Sequence, residues 1–115
     1  TREAVEHLDD ILTVPGIDAI YVGPADLSIS LGLEPSGNPD ESVLDEALAT
    51  IVEGCRRHGI TPGIHASGAL AAKRREQGFR MITVASDALA MRAGFAAELA
   101  AADAAAGEPK SSELY

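Results

Sequence analysis

The chain has 115 residues, 46% of them hydrophobic, enough for one small domain or part of a larger one. Eighteen Asp and Glu against nine Lys and Arg give a formal charge of −9, which repels phosphate backbones and argues against nucleic-acid binding. No apolar run approaches the roughly 20 residues that span a bilayer, and single Cys55 leaves no pair for an internal disulfide or a structural zinc site. The opening "TREAVEHLDD" has no apolar signal segment, and no basic amphipathic helix suggests a membrane surface. These features fit a soluble cytoplasmic protein without nucleic-acid or membrane partners. With 3% aromatic residues and no Trp, a stacking platform for bases or sugars is not expected.

In chain order, Ala4, Val5, Leu8, Ile11 and Leu12 form a helical stripe over residues 2–12, stopped by Pro15-Gly16. "IDAIYV" (17–22) is rich in β-branched and aromatic residues and predicts a strand. A short helix, "LSISL", follows the next turn, and then "LEPSGNPDES", a polar loop that adds little core. Leu44, Leu48, Ile51, Val52 and Cys55 recur at helical spacing, with Gly59 as the C′ residue. "ITPGIHA" (60–66) reads as a second strand, weakened by Pro62 and Gly63. Residues 67–78 give a short basic-ended helix, and "FRMITVA" (79–85) a third strand. Ser86 or Asp87 can cap the last helix, and 107–115 form a flexible tail.

Strict alternation of helix and strand with short connections predicts an α/β protein built of βαβ units on a parallel sheet. Three parallel strands are few for a freestanding sheet, which needs cover on both faces. The last helix is Ala-rich on nearly every side, which suits close packing against other elements or another subunit. The chain therefore reads as part of something larger.

The stretch "YVGPADLSISLG" (21–32) holds the main chemical interest. In parallel α/β folds, function collects where loops leave the C-terminal ends of strands. Gly23 allows close backbone approach, Pro24 has no N–H, and the amides of Ala25 and Asp26 can face an anion. The Asp26 carboxylate beside them can bind a hard divalent cation carrying a small oxyacid. The structural alternative is that Asp26 caps the short helix, the commoner role for an acid at such a spacing.

The longer string "DAIYVGPADLSISLG" resembles the HpcH/HpaI aldolase/citrate lyase family, the class II pyruvate aldolases of the 4-hydroxy-2-oxoheptanedioate and 2-dehydro-3-deoxyglucarate type. "TREAVEHLDDILTVPG", "GITPGIHASG" and "GFRMITVASDALAMRAG" fall in the same order and spacing, so the resemblance covers about residues 1–100. It implies a TIM (β/α)8 barrel, of which residues 1–106 would supply strands six to eight. It implies a divalent metal (Mg, Mn or Co) held by two acids. One matches Asp26, and the other is a Glu expected immediately before Thr1. The family's catalytic His and substrate-binding Arg are expected upstream, and none of His7, His58 or His65 matches them. Gly23, Ala25 and Asp26 would bind the pyruvate carboxylate. In that chemistry, cleavage of a 4-hydroxy-2-oxo acid builds negative charge on the 2-oxo oxygen, which a metal stabilises while a base takes the 4-hydroxyl proton. The family also implies a homo-oligomer, a hexamer of dimers that exchange their last helices.

Other residues have plainer readings. His65, after the second strand, is read first as a polar loop residue. Asp87 matches an acid common after the family's last strand, but it is read first as a cap of the last helix. Cys55 lies on an apolar stripe and reads as core. Ser28 and Ser67 lack a nucleophile setting. "KRRE" (73–76) reads as a solvated helix face, and Glu3, Asp9 and Asp10 as surface. The expectation is a metal-dependent, pyruvate-forming carbon–carbon lyase, incomplete for activity over these residues alone. The rivals are a barrel piece with a binding or structural role, and another enolate-forming lyase of the same family.

Overall fold

His7 divides the apolar stripe of residues 2–12 into two short helices, α1 (Arg2–Glu6) and α2 (Leu8–Leu12). Neither Gly nor Pro marks this break; His7 turns with φ −105° and ψ 28°. In the computed structural model, which describes residues 1–35 and 41–107, the remaining elements follow the expected alternation. They are β1 (Ala19–Val22), α3 (Pro24–Ser30), α4 (Glu41–His58), β2 (Thr61–His65), a single 3-10 turn (Gly68–Leu70), α5 (Ala71–Glu76), β3 (Met81–Thr83) and α6 (Asp87–Gly107). Residues 36–40 of the polar loop and 108–115 of the expected tail lie outside the described residues.

The chain divides into two units, Thr1–Val84 and the segment from Ala85 onward. In the first, the strands form a parallel sheet in the order β1-β2-β3, with Tyr21 opposite Gly63 and Ile64 opposite Ile82. Pro62 sits in the central strand without breaking it. Its carbonyl accepts from Arg80 N–H at 2.9 Å, while its missing donor faces the chain before β3 begins. Alternation along the strands sorts the side chains by face. Val22 and Ile64 join the core with Leu44, Leu48, Ile51 and Cys55 of α4, whose stripe packs on this face. Leu8 and Leu12 pack over Gly54, where an added Cβ would lie 2.6 Å from Leu8 Cδ2. The opposite face carries Tyr21, His65, Met81 and Thr83, all exposed.

Helix ends follow local rules. Gly59 (φ 69°) ends α4, as its sequence position implies. The last strand is shorter than "FRMITVA": Phe79 is fully buried ahead of it, and Val84 beyond it is exposed. In the second unit, Ser86 Oγ accepts from Leu89 N–H and caps α6, while Asp87, the first residue of the helix, accepts from Ala88 N–H through Oδ1. Along α6, Leu89, Met91, Phe95 and Leu99 are more than half exposed. No helix among the described residues is long and apolar enough to cross a membrane.

One surface expectation fails. Arg74 of the "KRRE" run is buried, only 6% exposed, rather than solvated. Its Nη1 donates to Gln77 Oε1 at 2.7 Å and reaches Asp45 Oδ1 at 3.4 Å, and Gln77 Nε2 donates to the same Asp45 oxygen at 3.0 Å. Lys73 Nζ stands 3.2 Å from Asp45 Oδ2. The network ties α5 to α4, and a buried guanidinium needs that carboxylate. Partial burial pushes the Asp45 carboxyl up, but hydrogen bonds from Gln77 and Lys73 and the charges of Lys73 and Arg74 outweigh it, so its pKa lies below the usual value.

Because the folded pKa is depressed, the carboxylate's contribution is present above the unfolded value of about 3.9 and fades as pH falls through the lower folded value. Asp45→Ala in the full-length protein is expected to cost about 1–3 kcal/mol at pH 7. Denaturant unfolding at pH 7 and pH 3 checks this: the difference between the two proteins should shrink at the lower pH.

Candidate active site

The site is built where β1 ends. Gly23 continues the strand's extended backbone (φ −91°, ψ 105°) and forms the N-cap of α3, with Pro24 at the first helical position. Proline suits that position because its fixed φ is helical and an N–H there would have no partner. The first bond into the helix runs from Leu27 N–H to Gly23 O at 3.0 Å. The N–H groups of Ala25 and Asp26 therefore have no carbonyl one turn back. Leu27 and Ser28 are buried and anchor the helix, while Ala25 and Asp26 are exposed.

Asp26 does not cap α3. The cap position belongs to Gly23, no side-chain capping bond forms, and Asp26 lies in the first turn. A carboxylate there is favoured by the helix dipole yet remains free for a ligand. Its side chain folds back over Gly23, where an added Cβ would stand 2.8 Å from Asp26 Oδ2. Glycine is needed at this point to leave the carboxylate its place.

An open cleft of about 300 Å³ lies against this turn, lined among others by Thr1, Val5, Leu8, Tyr21, Gly23 and Asp26. The cleft thus joins the entrance of α1 to the turn after β1. Thr1 Oγ1 accepts from Ala4 N–H at 3.1 Å and caps α1. The backbone N–H of Arg2 donates to Ser30 Oγ, and its Nη2 donates to the Leu31 carbonyl at 2.7 Å. These two contacts between α1 and the end of α3 were not legible in the sequence, since nothing in "TRE" points to a partner some 28 residues on. Among the described residues, no group of three or more His, Cys, Asp or Glu gathers as a metal cage. Asp26 is the carboxylate among the residues that line the cleft.

The other candidates fall outside this cleft or have structural roles. His65 is the last residue of β2, with Nδ1 3.4 Å from Tyr21 Oη on the exposed sheet face. The sequence treated His65 alone; strand parity, which puts Tyr21, Gly63 and His65 on one face, was the available signal. Cys55 is fully buried and burial pushes its thiol pKa up, as suits a core residue. Ser28 is on the buried side of α3, and Ser67 is exposed after β2. Asp9 is exposed, as expected, and pairs with Arg57 Nη2 at 2.8 Å and His58 Nε2 at 3.0 Å. Those hydrogen bonds, Arg57 first, hold its carboxyl below the usual value.

Comparison with known proteins gives the chain's family. Residues 1–93 match the family described as HpcH/HpaI aldolase/citrate lyase. A hydroxypyruvate/pyruvate aldolase of Rhizorhabdus wittichii is 37% identical over 102 residues, which is 88% of this chain and 40% of the relative. A 4-hydroxy-2-oxo-heptane-1,7-dioate aldolase of Salmonella arizonae is 39% identical over 95 residues, 82% of this chain and 35% of the relative. The crystal structure of an HpcH/HpaI aldolase/citrate lyase family protein from Burkholderia cenocepacia superposes with a TM-score of 0.73 at 32% identity, covering 86% of this chain and 38% of that one. The chain spans about two fifths of the length of these relatives. With that match over most of its length, the chain belongs to the HpcH/HpaI aldolase/citrate lyase family.

Proposed function

We propose that this chain is part of a metal-dependent aldolase that cleaves 4-hydroxy-2-oxo acids to pyruvate and an aldehyde, and that its strands are the sixth to eighth of a (β/α)8 barrel. One observation carries the reading: the turn after β1 leaves the exposed Asp26 carboxylate beside the unpaired amides of Ala25 and Asp26, and Asp26 lines a cleft shared with Thr1. The exposed sheet face with Tyr21, His65 and Met81 supports the barrel, because parallel sheets are covered on both faces. The names of the relatives, a hydroxypyruvate/pyruvate aldolase and a heptanedioate aldolase, support the reaction class.

A divalent cation fits the donor chemistry of this turn. Asp26 offers a hard oxygen ligand suited to Mg, Mn or Co, and the second acid is the Glu expected immediately before Thr1. When bound, the cation supplies Lewis-acid stabilisation of negative charge on the 2-oxo oxygen. The chain's own residues do the rest of the work here. The amides of Ala25 and Asp26 hold the substrate carboxylate, and Gly23 leaves room for the Asp26 side chain. Val5 and Leu8 give the cleft an apolar wall. The proton-accepting base and the Arg that clamps the substrate come from the preceding part of the protein.

A homo-oligomer belongs to the same reading. The exposed Met91, Phe95 and Leu99 of α6, spaced four residues apart, form an apolar stripe that a second copy would cover.

Three measurements on the full-length protein test these proposals. Asp26→Asn should lower metal-dependent pyruvate release by at least a hundredfold with the fold retained by circular dichroism; near-normal turnover would remove Asp26 from the site. Gly23→Ala should displace the Asp26 carboxylate, the flexible end of its side chain, at little cost in stability. A crystal structure of that variant with the carboxylate unmoved would contradict the close approach. Light scattering should find an oligomer that Phe95→Glu dissociates, and a monomeric wild type would refute the assembly.

A further inference from the structure

We propose that Arg2 is a positioning residue for the cation site, setting the distance between the chain that enters α1 and Asp26. The inference rests on the reading of Asp26 as a cation ligand. Arg2 is the first residue of α1 and follows the Thr1 cap, so its placement fixes where the preceding chain lies. It holds the far end of α3 by two bonds, one from its backbone N–H to Ser30 Oγ and one from Nη2 to the Leu31 carbonyl. Leu31 is the C-cap of α3, where carbonyls lack helical donors and a cationic side chain complements the helix dipole.

Asp26 stands at the other end of this same helix, which is only about 10 Å long. A short helix gripped at its C-terminal end moves as one body, so the grip of Arg2 is felt at Asp26. Thr1 and Asp26 line one cleft, so the entering chain and the carboxylate border a shared space. A ligand set drawn from both sides needs that spacing held within about half an ångström.

The sign of the effect separates positioning from electrostatics. A guanidinium near a cation site repels the cation, so removing its charge alone should tighten binding. Loss of a positioning contact should weaken it, by about tenfold or more. The test is calorimetric titration of the full-length protein with Mn²⁺ alone, beside thermal unfolding. Arg2→Met is expected to weaken Mn²⁺ binding at least tenfold, with Arg2→Lys, which can still donate to the Leu31 carbonyl, falling between it and wild type. Ser30→Ala, which removes only the second contact, should weaken binding to a smaller extent, and it serves if Arg2→Met does not fold. Equal or tighter Mn²⁺ binding in Arg2→Met, or in Ser30→Ala and Arg2→Lys together, overturns the role of Arg2. A wild type that binds no Mn²⁺ overturns the reading of Asp26 itself, which is a separate result.

Discussion

The burial of one face of a three-stranded parallel sheet beneath α4 is the contact on which the rest depends. Leu48 and Ile64 are nearly or fully buried there, with Cys55 and Phe79 beside them. Each such side chain contributes about 1.5–3 kcal/mol on leaving water. Because side chains alternate along a strand, covering Val22 and Ile64 commits Tyr21, His65 and Met81 to the other side. The same packing aligns the strands, and so presents the C-terminal end of β1, with its Gly-Pro turn, at the edge of a cleft.

The turn combines two opposite electrostatic demands in four residues. Unpaired amides at the start of α3 favour an anion, while Asp26, one residue of that same turn, favours a cation. A small oxyacid held through a divalent ion satisfies both at once, which neither an anion nor a cation alone does. The acidic balance of the chain, a formal charge of −9, draws cations toward such a surface.

Much of the architecture was legible because it follows from short-range rules. The stripe of Leu44, Leu48, Ile51 and Cys55 has helical spacing, Gly59 ends that helix with φ 69°, and Ser86 caps the last one. The turn at Gly23 and Pro24 could also be read, since few other residues suit those positions. Its detail could not: capping by Asp26 is the ordinary reading of the spacing, and the helix starts three residues earlier, at Pro24 rather than Leu27, because Pro24 fits its first position. The break at His7 carries no local breaker. Arg74 looks like one more charge in a basic run, and its burial depends on Asp45, which lies 29 residues earlier in the chain.

The sequence by itself determined the α/β alternation, the end of α4 at Gly59, the start of α6 and the string around Asp26, because these depend on residues within a turn or two of one another. Only the tertiary structure decided which sheet face is covered, that Arg74 is buried, and that Arg2 reaches the end of α3 beside the cleft. Those outcomes depend on contacts between elements tens of residues apart, whose free energy is gained only after the chain has packed, and no local spacing encodes them.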